Sequence, residues 1–283
     1  MAIRLSTGIR NKMLGINTEM ITNGGFTTDY TGWTASNATL SSAGSGQSGN
    51  CLSIAETGSS NPGQAYQDVT TIIGRLYKLV LYFKKGTADA GAFFIGTTGS
   101  YNSIYSSGTI ADAAWAKYTV YFIATATTTR ITLQSTDATA AETSFFDSVS
   151  LVDYAHTLQQ IFNLGFVDIY TGIQPASANT APSGTLLATI SNASAGVTFD
   201  DATGGVISKA STETWSGTCG NAGTAGWGRL RSAGDLGTTN STDERVDGAV
   251  ATSGAEFNFA TGVSWALGSI QVLTSFTITI PTA

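Results

Sequence analysis

Charge is scarce in this chain. Asp, Glu, Lys and Arg make up 11% of its 283 residues, against roughly a quarter in ordinary globular domains. Exposed helices draw on Glu, Lys and Arg, so the polar surface here falls to Thr, Ser, Asn and Gly, which favours strands and loops. Disorder is not the alternative: a disordered chain carries more charge and fewer aromatics than this one, which is 42% hydrophobic and 10% aromatic. Basic residues are outnumbered, 13 to 19, for a net charge of −6, and no Lys/Arg run exceeds Lys84-Lys85. Nucleic-acid binding needs a concentrated basic footprint and is not expected. No window is apolar for long enough to span a bilayer, so no membrane insertion is expected. The start, MAIRLSTGIR, lacks the apolar core of a signal peptide. A soluble protein made in the cytoplasm is the expectation. His156 is the one histidine, which excludes multi-histidine metal sites and reads as a surface residue at a helix start.

What is present is an interrupted domain. Residues 1–15 open one pattern, with Leu5, Ile9 and Met13 at four-residue spacing and Ser6 or Thr7 available as N-cap, so a short helix is expected over about 6–14, ended by Gly15. A second short helix is expected over about 155–164, with Leu158, Ile161 and Phe162 on one face. Between them, 16–154 reads as strands. Tyr77–Phe83 is followed by the turn Lys84-Lys85-Gly86-Thr87, and Trp115–Ile123 alternates. Ile131 and Leu133 flank Thr132 on the opposite face, and Phe146, Val149 and Leu151 close the set. Short strands separated by Gly/Ser/Asn turns predict a sandwich. The remainder, 155–283, is also β-rich. Its expected strands are 166–170, 186–190, 196–199, 206–208, 226–231, where Trp227 and Leu230 alternate with Arg229 and Arg231, and Phe276–Ile280, which Pro281 ends. An exposed connection tolerates such an insert because its ends already lie close together. Cys51 falls in the insert and Cys219 in the host, so both are read as buried, reduced thiols.

The insert carries five motifs in order: TNGGFTTDYTGWT (22–34), AYQDV (65–69), GRLYKLVLYFKKG (74–86), WAKYTVYFIAT (115–125) and FFDSVSLVD (145–153). As a set they resemble carbohydrate-binding modules of families four and nine, which implies a β-jelly-roll sandwich. The host resembles phage and prophage structural proteins through MAIRLSTG, VDIYTGIQPASA (167–178), GTLLATI (184–190), GGVISKASTETWSGT (204–218), AGTAGWGRL (222–230) and FTITIP (276–281). In such relatives the opening helix runs almost directly to the IYTG strand. The expected fold class is therefore all-β, a jelly roll (16–154) inserted into a second small β-rich domain (1–15 and 155–283) with short N-terminal helices.

Sugar-binding modules hold pyranose rings on exposed aromatic faces. Trp33 and Trp115 belong to the fold signature and are read as core. Tyr66, Tyr101 and Tyr105 stand in less regular sequence and are the candidate carbohydrate contacts. The resemblance also implies a structural calcium near the two ends of the insert, for which Glu19 and Asp147 are the candidate ligands. Catalysis has no candidate. Gly204-Gly205 and Gly217–Gly220 lack the strand–loop–helix context of phosphate loops, and Asp200-Asp201 reads as a turn, adjacent strand residues facing opposite ways. Asp243–Gly248, DERVDG, reads as a solvated loop or a subunit contact. The expectation is a non-enzymatic virion protein, a capsid decoration or head-surface protein assembled in the host cytoplasm, homo-oligomeric, with other virion proteins and host-surface glycans as partners. The alternatives are a tail or tail-fibre receptor-binding component and a pure cement protein that binds no sugar.

Overall fold

The structure is a computed structural model that describes residues 3–279 apart from 16, 59, 60, 137, 138, 156 and 204. The readings attached to His156, Gly204, Ile280 and Pro281 lie outside the described residues. The chain forms two compact units, 1–16 with 155–283, and 17–154.

In chain order the elements are β1 (Arg4–Leu5), α1 (Thr7–Met13), β2 (Thr34–Ser36), β3 (Ala38–Ala43), β4 (Cys51–Glu56), β5 (Gln64–Thr70), β6 (Leu76–Lys85), β7 (Gly91–Thr97), β8 (Ser100–Ser106), β9 (Ala116–Ile123), β10 (Thr128–Ser135) and β11 (Thr143–Asp153). Then follow α2 (Leu158–Ile161), β12 (Phe166–Thr171), β13 (Leu186–Asn192), β14 (Val206–Ser208), β15 (Trp215–Thr218), β16 (Gly223–Arg231), β17 (Arg245–Ala251), β18 (Phe257–Asn258), β19 (Ser264–Trp265), β20 (Ile270–Leu273) and β21 (Ser275–Thr279). The fold is all-β.

The 17–154 unit is a β-jelly-roll sandwich of two five-stranded antiparallel sheets, ordered β2-β5-β10-β7-β8 and β3-β4-β11-β6-β9. Strand alternation builds it. Along β6, Tyr77, Leu79, Leu81 and Phe83 are buried while Lys78, Val80, Tyr82 and Lys84 point the other way. Across the core they meet Ala65, Val69, Phe93, Ile95, Ile131 and Leu133 of the other sheet. Trp33 joins this core, 5.7 Å from the Phe26 ring. Trp115 does not: it is half-buried, and its indole N–H reaches the Ser45 carbonyl. The two ends of the unit meet, since Glu19 bridges Val152 and the Met20 amide donates to the Leu151 carbonyl.

The other unit is built on an eleven-stranded sheet, ordered β14-β21-β18-β17-β16-β12-β13-β15-β20, with β1 added to β17 and β19 to β16. Ser6 caps α1, accepting from the Ile9 amide. Leu5 belongs to β1, and Met13 is exposed, so the four-residue spacing buries only Ile9 fully. The second helix is one turn, held by a Thr157/Gln160 capping box. Residues 196–199 form isolated bridges at Val197 and Phe199 rather than a strand. One face of the sheet carries the apolar core, with Val167, Ile169, Leu230, Val246 and Phe276.

The opposite face corrects two expectations. Trp227 does not side with Leu230; its ring lies with Arg229, 5.4 Å away, and stacks on Tyr170. The DERVDG segment is neither a solvated loop nor an exposed contact. Arg245 and Asp247 are fully buried, and direct strand partners place Thr189, Asp168, Arg229, Asp247 and Arg4 in one row across five strands. These charges pin two loops over the face. Arg229 donates to the Thr180 carbonyl and Arg245 to those of Ala178, Asn179 and Thr238. In a chain so poor in charge, this is where much of it went.

Candidate functional site

The sheet β2-β5-β10-β7-β8 sends Ala65, Val69, Ile131, Leu133, Phe93 and Ile95 to the core. The residues between them must face outward. Register places Thr34, Tyr66, Thr132, Phe94 and Ser106 in one row across all five strands. The next row holds Ser36, Gln64, Gln134 and Ala92, and the row on the other side pairs Asp68 with Arg130.

A groove of about 270 Å³ opens on this face, lined by Asn37, Asn61, Pro62, Gln64, Tyr101 and Gln134. Its floor is an amide pair, Gln64 Nε2 donating to Gln134 Oε1 at 2.7 Å. Tyr101 forms one wall. It is 38% exposed and packs edge-on against Phe94, with ring centroids 5.1 Å apart. Its position depends on Gly96. A Cβ there would stand 2.1 Å from the Ser100 carbonyl oxygen, so only glycine lets the β7–β8 hairpin close this tightly. The Thr132 hydroxyl lies buried beneath this face with no partner among the described residues.

Tyr66 stands one row along. The Arg130 guanidinium lies 3.9 Å from its ring centroid and is paired to Asp68 through two bonds of 2.7 and 2.8 Å. Asp68 holds Arg130 above the usual arginine range, and the two opposite charges offset each other. The face thus presents rings, amides and hydroxyls with little net charge.

The structure therefore divides the three candidate tyrosines. Tyr66 and Tyr101 share the outer face. Tyr105 is on the inner one: its strand partner is Ile95, and its ring stacks on Phe93 at 5.7 Å. Beside it Tyr118 donates to Asp112, and burial together with that carboxylate pushes the Tyr118 phenol up to about 12. The polar groove residues escaped the sequence reading although a signal existed. Gln64 and Gln134, like Thr132, stand at positions that alternate with the apolar Ala65, Ile131 and Leu133.

Glu19 and Asp147 are each engaged in their own network. Glu19 Oε1 accepts from the amides of Met20, Ile21 and Leu151, and Oε2 from the Ser150 hydroxyl. Asp147 is fully buried and accepts from the Ser48 and Ser148 amides at 2.9 and 2.6 Å. Amide hydrogens aimed at a carboxylate satisfy the charge that a cation would otherwise neutralise. Among the described residues no three His, Cys, Asp or Glu side chains gather as metal ligands. In the other unit, Asp200 accepts from the Ser211 amide, and Asp201 from Gln159.

No family model matches the chain, and no curated protein matches it. Solved structures similar to part of it include three with a TM-score of 0.38, each over 47% of this chain. One is the arabinose-bound α-L-arabinofuranosidase MgGH51, 18% identical, of which the chain spans 26%. The second is a family-four carbohydrate-binding module, 17% identical and covered over 98% of its length. The third is the enzymatically active domain of tailspike protein 4 of bacteriophage CBA120, 13% identical and covered over 21%.

Proposed function

We propose that the jelly roll binds a neutral glycan in the groove beside Tyr101, and that the whole chain is a non-enzymatic virion structural protein. The observation that carries the glycan reading is the outer face itself. An exposed tyrosine ring, an amide floor and a self-balanced Arg130–Asp68 pair offer what a neutral sugar uses: an apolar ring face for its C–H groups and donors and acceptors for its hydroxyls. Glycoside hydrolysis needs two carboxyl groups flanking the bond. Asn37, Asn61, Gln64 and Gln134 line the groove where such groups would stand, which supports binding without turnover.

The virion assignment rests on the resemblance of the host segments, VDIYTGIQPASA and those that follow. In this reading the host unit docks on other virion proteins as a capsid decoration, and the jelly roll projects toward cell-surface glycans. Repetition on a particle turns a weak contact per copy into useful adhesion. A glycan array with the full chain tests the binding. Neutral oligosaccharides should be retained by the wild type and lost by Tyr101→Ala. A blank array removes sugar binding and leaves the cement role. Labelling the protein on intact particles tests head against tail.

A further inference from the structure

The second sheet of the same unit turns a different chemistry outward. With Tyr77, Leu79, Leu81 and Phe83 in the core, β6 exposes Lys78, Val80, Tyr82 and Lys84 on its other side, and β9 adds Lys117, Thr119, Tyr121 and Ile123. Four of the six lysines in the chain, 78, 84, 85 and 117, lie on these two strands. They gather most of the chain's lysine on one sheet, beside Asp147, the strand partner of Tyr82, and Glu19, which bridges Val152 next to Lys78.

The cations of this unit fall into two kinds. Its two arginines are each paired with an aspartate, Arg75 with Asp153 and Arg130 with Asp68. Among the described residues none of the four lysines has a carboxylate within ion-pair distance. Lys78 is held by rings instead. Its ammonium lies 5.8 Å from the Tyr121 centroid and 5.4 Å from that of Tyr154, and the two rings pack edge to face 5.0 Å apart. Lys117 stands 6.0 Å from the Tyr82 ring in the same manner. Cation–π contact fixes an ammonium without occupying its donors with a carboxylate. Tyr121 is itself 51% exposed, so part of its surface beside Lys78 is open to solvent.

We propose that this face binds an acidic polysaccharide, a linear chain bearing uronate or sulfate groups. The sugar ring would lie on Tyr121, and the acid groups would meet Lys78, Lys84 and Lys117. The spacing fits a chain rather than a single anion: Lys78 and Lys84 are six residues apart on one strand, roughly 20 Å. The charge calls for a polyanion, and the exposed tyrosine beside it calls for a ring with an apolar face. Arginine is the bidentate reader of phosphate, and both arginines of this unit are already paired, which favours carboxylate or sulfate on lysine over a nucleic-acid backbone. The proposal stands apart from the groove on the other sheet.

The test is calorimetric titration of the full chain with a galacturonate hexamer, with xylohexaose and a single-stranded thymidine oligonucleotide as comparisons. The acidic hexamer should bind, and Lys78→Gln and Tyr121→Ala should each weaken it about tenfold. About 1 M NaCl, where the Debye length is about 3 Å, should abolish the binding, and Tyr101→Ala should leave it unchanged. Both substituted side chains lie on the outer face, and an unchanged melting temperature verifies the fold of each variant. The proposal is overturned if the hexamer does not bind, or if its binding survives both substitutions. It is overturned equally if Tyr101→Ala removes the binding, if the oligonucleotide binds as well, or if the two substitutions alter only self-association of the chain.

Discussion

Arg229 and Asp247 face each other as direct partners on β16 and β17, joined by two hydrogen bonds of 2.7 and 2.8 Å, with side chains 1% and 0% exposed. Breaking such a pair leaves a buried charge without compensation. Asp247→Leu should destabilise the host unit by about 3–5 kcal/mol, whereas pairing it with Arg229→Met should restore most of the loss. Denaturant unfolding of the two single variants and the double variant closes the cycle. An additive double variant would show that the two charges act independently.

The same network makes stability depend on pH. Burial and the neighbouring Asp235 carboxylate raise Asp243 to about 6. Burial also raises Asp235, but hydrogen bonds from Arg245 and the Gly237 amide outweigh it and bring Asp235 below the ordinary range. An unfolded aspartate titrates near 3.9. Between pH about 4 and 6 the native state thus keeps a proton on Asp243 that the unfolded chain has released, so stability falls as pH rises through that window. Below about pH 4 the sign reverses through Asp235, whose stabilisation is lost as it protonates. Scanning calorimetry across pH 4–7 should show the fall in wild type and a flatter profile in Asp243→Asn.

Asp147 works as a buried acceptor for two amides. Asp147→Ala should cost about 1–3 kcal/mol by leaving the Ser48 and Ser148 donors unsatisfied. Melting curves with and without chelator decide between this role and a cation ligand: the loss should be the same in both, whereas a bound ion would make it depend on chelator.

Gly96 determines where Tyr101 stands. Gly96→Ala should abolish neutral-glycan retention as fully as Tyr101→Ala, because its methyl group would meet the Ser100 and Tyr101 backbone. Tyr105→Phe, on the inner face, should leave retention intact. Affinity electrophoresis against neutral polysaccharide reads all three.

The 17–154 unit should fold alone, its ends being joined by the Glu19–Val152 bridge and its core complete within itself. A single cooperative transition of that fragment, monitored by tryptophan fluorescence, is the expected result. Aggregation of the fragment would count against it.

The order of apolar and polar residues along each strand was enough, by itself, to establish an all-β chain and to set Ile131 and Leu133 of β10 on one face with Thr132 on the other, because a period of two leaves one choice of face. It did not reveal which tyrosine joins which face near an irregular hairpin. Tyr101 and Tyr105 are separated by the register shift between Ile95 and Thr97, which resets the alternation. Nor did it show that DERVDG is buried. Charged residues read as solvated until their partners are known, and the partners of Asp247 and Arg245 come from β16 and from the 232–243 loop. Burial of charge, the amide floor of the groove and the lysine–tyrosine face all depend on contacts between strands distant in sequence. Alternation is a property of neighbours along the chain; pairing is a property of neighbours in space, and only the tertiary structure decides it.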